Sequence, residues 1–111
     1  MGFIDFEAMP KMAITEKHSD AFGELLTGGT IEVGRLHFKA GQGAEPHSHE
    51  QEQVIIILEG QAEVIFDGEK RVLGPGAGFH AAPWVPHGTT AITDCAMLSC
   101  KNVIEGVGHE L

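Results

Sequence analysis

Three histidines and one glutamine carry the spacing from which a metal site can be built. His47 and His49 stand two apart in GAEPHSHEQEQ, Gln53 follows, and His87 arrives later in PWVPHG. In an extended strand, residues i and i+2 point to the same face, so His47 and His49 are expected to project two imidazoles from one side. Gln53, again in phase, adds a carboxamide oxygen at the head of the apolar run Val54–Leu58. With His87 the donors are three nitrogens and one oxygen, a set that Mn, Fe, Ni, Cu and Zn all accept. The expectation is one divalent transition metal per chain, with one or two positions left open for water or substrate, as in catalytic sites. All four donors are neutral. The ion therefore keeps close to its full charge, which favours Lewis acidity and an anionic ligand.

Short strands must position these groups. TIEVGRLHFK (30–39) reads as a strand by period-two alternation, and QVIIIL (53–58) as one that is apolar on both faces. An aliphatic run of that kind needs cover on its second face, which predicts a homodimer. Ala62, Val64 and Phe66 alternate with polar neighbours up to Asp67-Gly68, a hairpin signal, and residues 71–73 pair back. Phe79–Ala82, Thr89–Thr93 and Ala96–Lys101 supply further strands, with Gly74-Pro75-Gly76 and Pro83–Pro86 as corners. The two prolines restrict the backbone just ahead of His87. Lys11–Ile14 reads as a short edge strand, 40–45 as a Gly-rich turn, and 106–111 as a tail that leaves His109 outside any site. No stretch of ten or more residues keeps a 3.6 period. Many short strands with Gly and Pro corners predict an all-β sandwich or barrel.

These residues resemble the cupin superfamily. Its first motif is met by Gly41, five residues, His47-Ser48-His49, three residues, Gln53, six residues and Gly60, with Gln53 where the family usually has Glu. The second is met by Gly76 and His87, whereas Ala82, Trp84 and Ala91 stand where Pro, Gly and Asn are usual. The resemblance implies a double-stranded β-helix, the small jelly-roll barrel, with metal ligands His47, His49, Gln53 and His87. It also puts Gly34, Leu36 and Phe38 inside the barrel and His37 outside. A His-x-His-x3-Gln site is similar to that of the pectin-degradation cupins, which open unsaturated uronates, and of the manganese-dependent hydroxynitrile lyases. The former also carry Asp-x-Phe-x3-Arg on the last barrel strand, where this chain has Ser99, Lys101 and Glu105.

Bulk properties bound the rest. At 111 residues the chain is one domain (1–111), with the barrel core expected at about 30–104. Sixteen acidic against seven basic residues give a net charge of −9, which argues against nucleic acid or anionic membrane as partner. No apolar run approaches the ~20 residues of a membrane helix. The N-terminal residues show no secretory pattern, and Cys95 and Cys100 lie too far apart on one strand for a disulfide, which points to a cytoplasmic protein.

The functional expectation is a metal-dependent enzyme acting on a small carbonyl, enol or hydroxy compound, as isomerase, lyase or dioxygenase. The alternative is a cupin that binds or senses a small ligand without turnover. Strand phase nominates Ser99 and Lys101 as acid, base or anion-binding groups, and closeness to the second motif nominates His80 as a residue near the cavity mouth. Leu36, Phe38, Ile55, Ile57 and Phe79 form an apolar lining suited to a small organic ligand.

Overall fold

The alternating segments become the two longest strands of a computed structural model that describes residues 2–15 and 18–109: β3 (Ile31–Phe38) and β10 (Cys95–Asn102). The other strands are β1 (Met12–Ala13), β2 (Phe22–Thr27), β4 (Gly43–His47), β5 (Gln53–Glu59), β6 (Ala62–Phe66), β7 (Glu69–Leu73), β8 (Gly78–Ala81) and β9 (His87–Ala91). A 3-10 turn at Phe6–Ala8 precedes them. Among the described residues no helix is long and apolar enough to cross a membrane.

All pairings are antiparallel. One sheet runs β1-β2-β3-β10-β5-β8 and the other β4-β9-β6-β7, and together they form the expected jelly-roll barrel. The six-stranded sheet thus takes in β1 and β2, which precede the core expected from residue 30. Of the stretch read as a Gly-rich turn, 40–42 do turn, while 43–45 already belong to β4, where Gly43 approaches Thr89 so closely that a Cβ would lie 2.0 Å from its carbonyl oxygen.

Register on β3, β10 and β5 sorts the barrel interior into rows. Leu36, Met97 and Ile57 stand side by side, then Gly34, Ser99 and Ile55, then Glu32, Lys101 and Gln53. The first row is closed apolar core, with Met97 and Ile57 almost fully buried. The last row is polar and equally buried. One end of the barrel is therefore filled by hydrophobic packing, while the other holds groups that require partners. His37 falls outside, as strand parity requires, and Leu36 and Phe38 fall inside.

Asp67 and Gly68, at φ 48° and 85°, make the two-residue turn that joins β6 to β7 in register. On the outer surface Glu24, fully buried, accepts from Lys11 at 2.7 Å and Arg35 at 2.6 Å. Arg35 also reaches Glu7 at 2.8 Å and lies over the Phe6 ring, which fastens the N-terminal segment to β2 and β3. The Arg35 hydrogen bond, aided by Lys11, holds the Glu24 carboxyl down at about 2.

Candidate metal centre

His47 closes β4, His87 opens β9, and the two are register partners. Gln53 opens β5. His49, expected beside His47 on one strand, lies beyond the end of β4 in the segment leading to β5, because the chain must leave one sheet there to reach the other. Its carbonyl accepts from the Trp84 amide at 2.8 Å, so the two motif-bearing segments hold each other. Trp84 sits at φ 67° with its ring exposed, and it anchors this contact through backbone rather than side chain. The ligand nitrogens of His47, His49 and His87 all lie within 4.8 Å of one another.

Each imidazole is turned by the same device. His47 Nδ1 contacts the Glu45 carbonyl at 2.6 Å, His49 Nδ1 that of Gln51 at 2.9 Å, and His87 Nδ1 that of Val85 at 2.9 Å. A carbonyl only accepts, so each Nδ1 carries the proton and each Nε2 presents a lone pair inward. His87 Nε2 is buried without a hydrogen-bond partner among the described residues. His49 Nε2 and Gln53 Oε1 face each other at 3.1 Å. Two lone pairs so placed repel unless a cation joins them, and ~3 Å is the separation of neighbouring ligands on an ion at ~2.1 Å. These residues fit a divalent metal.

The orientation of the Gln53 amide is fixed from behind. Gln53 Nε2 donates to Ser99 Oγ at 2.9 Å, Ser99 Oγ meets His109 Nε2 at 2.7 Å, and His109 Nδ1 meets Glu32 Oε1 at 2.5 Å. Glu32 also accepts from the His109 amide at 2.6 Å and from Thr27 Oγ1. Its carboxylate can only accept, so His109 donates through Nδ1, Ser99 donates to His109 Nε2, and Ser99 must accept from the Gln53 NH2. That order leaves Gln53 Oε1 as the atom turned to the centre. Burial lowers the His109 pKa and keeps the ring neutral, while the His109 hydrogen bond holds Glu32 at about 2. Ser99, His109 and Glu32 resemble a hydrolytic triad in their distances, but Ser99 is fully buried behind the amide and has no path to a substrate.

Removal of this support has an expected signature. Ser99→Ala should weaken metal binding by about 10–100-fold while the barrel stays folded. Gln53→Glu should restore affinity in that background, because a carboxylate offers an oxygen whichever way it turns. Metal titrations of the single and double variants test this, and an equal loss with Glu at position 53 contradicts the positioning role.

His109 is the main correction to the sequence reading. The segment read as a tail folds back over the barrel, with His109 1% exposed, Gln51 Nε2 donating to the Val107 carbonyl at 3.0 Å, and Thr15 Oγ1 donating to the His109 carbonyl at 2.5 Å. Gly108 is required there, since a Cβ would lie 2.6 Å from Glu32 Oε1. Glu110 and Leu111 lie outside the described residues. His80, expected near the mouth, pairs with Val54 on the outer face, is exposed and contacts Glu52. It does not reach the centre.

A cavity of about 40 Å³ adjoins the centre, room for a few water molecules at the ~10–15 Å³ that one requires. His47, Gln53, His87, Lys101 and His109 supply its polar wall, and Leu36, Phe38, Ile55 and Met97 its apolar wall. Ile57 is buried outside that lining, and Phe79 packs between Phe66 and His87. Burial pushes His49 and His87 down to about 4 and also lowers His47, with the Lys101 charge adding to the shift at all three rings. Lys101 itself is 3% exposed, and burial pushes it down to about 8. His18 stacks on His47 at 5.2 Å, a contact with no sequence signal.

Comparison with known proteins agrees with this geometry. The Cupin_2 family profile, described as a cupin domain, matches residues 34–100. The pectin degradation protein KdgF of Dickeya dadantii (strain 3937) is 31% identical over 64 residues, 57% of this chain and 58% of that protein. The chain thus spans well under two thirds of that relative's length. Among solved structures, an RmlC-like cupin from Shewanella frigidimarina NCIMB 400 superposes with a TM-score of 0.81 at 23% identity, covering 95% of this chain and 93% of that one. KdgF from Halomonas sp. superposes with a TM-score of 0.68 at 28% identity, covering 71% and 74%. With a profile match over more than half its length and the three-histidine barrel to go with it, the chain belongs to the Cupin_2 family.

Proposed function

We propose that this protein is a metal-dependent enzyme acting on a small carbonyl, enol or hydroxy compound, with His47, His49, Gln53 and His87 as the metal ligands. The observation that carries this reading is the convergence of inward-facing Nε2 atoms and Gln53 Oε1 beside a cavity, with His87 Nε2 lacking a hydrogen-bond partner among the described residues. A divalent ion held there supplies Lewis acidity toward a substrate oxygen. The chain's own part is to hold the ligand rings, to exclude bulk water with the Ile14–Thr15 and His109 segments, and to offer Lys101 Nζ for binding or proton transfer. Ser99 acts through Gln53 rather than on substrate. KdgF is a pectin degradation protein, and its likeness supports a small oxygenated substrate, but Ser99, Lys101 and Glu105 replace the Asp-x-Phe-x3-Arg pattern and a uronate is not carried over.

Turnover of a panel of small keto, enol and hydroxy acids by metal-loaded protein, followed by NMR, tests the proposal. Conversion of at least one compound that disappears in His87→Ala supports it. Binding without conversion across the panel favours the second reading, a ligand-binding or sensing cupin.

A second copy of the chain is proposed to cover the outer face of β5. Val54, Ile56 and Leu58 are 36%, 39% and 42% exposed there, beside the half-buried Leu98 and Cys100 of β10. Light scattering should give twice the chain mass for the wild type and the monomer mass for Ile56→Lys. A monomeric wild type contradicts the dimer.

A further inference from the structure

Lys101 brings into the cavity wall a positive charge that Glu32 offsets in part, without an ion pair. Its side chain stands between Glu32 and Gln53 in the polar row and is 3% exposed. No carboxylate lies within ion-pair distance of Nζ among the described residues. The nearest candidate in register, Glu32, is already engaged by Thr27 and by the amide and ring of His109. The four groups aimed at the metal position are neutral. A dication and an ammonium would therefore share one buried compartment in which the Glu32 carboxylate, already engaged by His109 and Thr27, sets one negative charge against three positive ones. An oxyanion reaching both offsets that excess, whereas a neutral ligand does not.

We propose that the site takes a small organic anion whose carboxylate or enolate oxygen bridges the metal position and Lys101 Nζ. This deepens the enzymatic reading above and rests on it. The cavity is about 40 Å³, so a ligand larger than a compact anionic group extends beyond it. The protein's overall charge of −9 makes this pocket a local exception, selective for a compact anion that can be stripped of water.

Formate and formamide, alike in size and unlike in charge, are the probes. Cobalt(II)-loaded wild type, Lys101→Met and Lys101→Gln are first compared for cobalt content and unfolding midpoint, and each should hold one cobalt per chain. Formate should then alter the visible cobalt spectrum of the wild type with a dissociation constant at least about tenfold below that of both variants. Formamide should produce no comparable change at the same concentration. Equal formate affinity in the wild type and either cobalt-loaded variant overturns the bridging role, as does formamide binding as tightly as formate. Absence of cobalt from the wild type overturns the metal reading and this proposal together, and is seen before any anion is added.

Discussion

His87→Ala protein folds and no longer responds to metal. In the wild type, zinc at one hundred times its dissociation constant should add about 2.7 kcal/mol of stability, a rise in melting temperature of roughly 10 °C or more for a domain of this size. In His87→Ala the rise should vanish, and affinity should fall by more than ~100-fold, since even supporting residues behind a ligand are worth 10–100-fold. The fold should survive because His87 Nε2 has no partner to lose among the described residues; what goes is the Nδ1 contact to Val85 and packing against Phe79. His80→Ala is the matched control, an exposed histidine on the outer face whose loss should leave the zinc response intact. Thermal melts with and without zinc decide it: an undiminished shift in His87→Ala removes that residue from the centre.

The second large effect concerns a glycine of the first motif. Gly60 adopts φ +81°, and a Cβ there would lie 2.1 Å from the Asp94 carbonyl oxygen and 2.9 Å from Thr93 Oγ1. Gly60→Ala therefore combines left-handed strain of about 1–2 kcal/mol with a clash against the Asp94 carbonyl and crowding of the Thr93 hydroxyl that accepts from the Gln61 amide. The expected total is about 3 kcal/mol or more. Gly41 at φ +86° has nothing within 4 Å of such a Cβ, so Gly41→Ala should cost only about 1 kcal/mol. Urea unfolding of the two variants separates these numbers. Equal losses would mean that close approach to Asp94 contributes nothing.

Strand parity and turn chemistry made much of the barrel readable. Leu36 and Phe38 went inside and His37 outside, and Asp67-Gly68 closed its hairpin, because period-two patterning and a positive-φ turn are local properties. The three histidines were readable as a group because their spacing survives in the chain itself. Parity also placed Glu32 in phase with Gly34 and Leu36, so a buried carboxylate facing the barrel could have been found. Its partner could not: His109 follows no period, and only the closure of 103–109 over the barrel brings it to Glu32. Lys101 shows the same limit from the other side. At the end of a strand a lysine reads as solvated, and its burial depends on the Ile14–Thr15 and His109 segments meeting above it, a contact between residues 94 positions apart. His49 was placed on a strand by i, i+2 logic that stopped holding once β4 ended at His47.

The relay behind Gln53 also bears on how an amide would serve, under the proposed ligand set, where a carboxylate is usual in this family. A carboxylate needs no support to present an oxygen, while an amide presents the right atom only if its NH2 is held. Ser99, His109 and Glu32 hold it, and all three are almost fully buried.

Anomalous X-ray diffraction from crystals of the wild-type protein grown with cobalt(II) tests the central claim most directly. The account predicts one strong peak per chain, at roughly 2.0–2.2 Å from Nε2 of His47, His49 and His87 and from Gln53 Oε1. A map with no peak among these four atoms, or with the ion bound elsewhere on the chain, would contradict it.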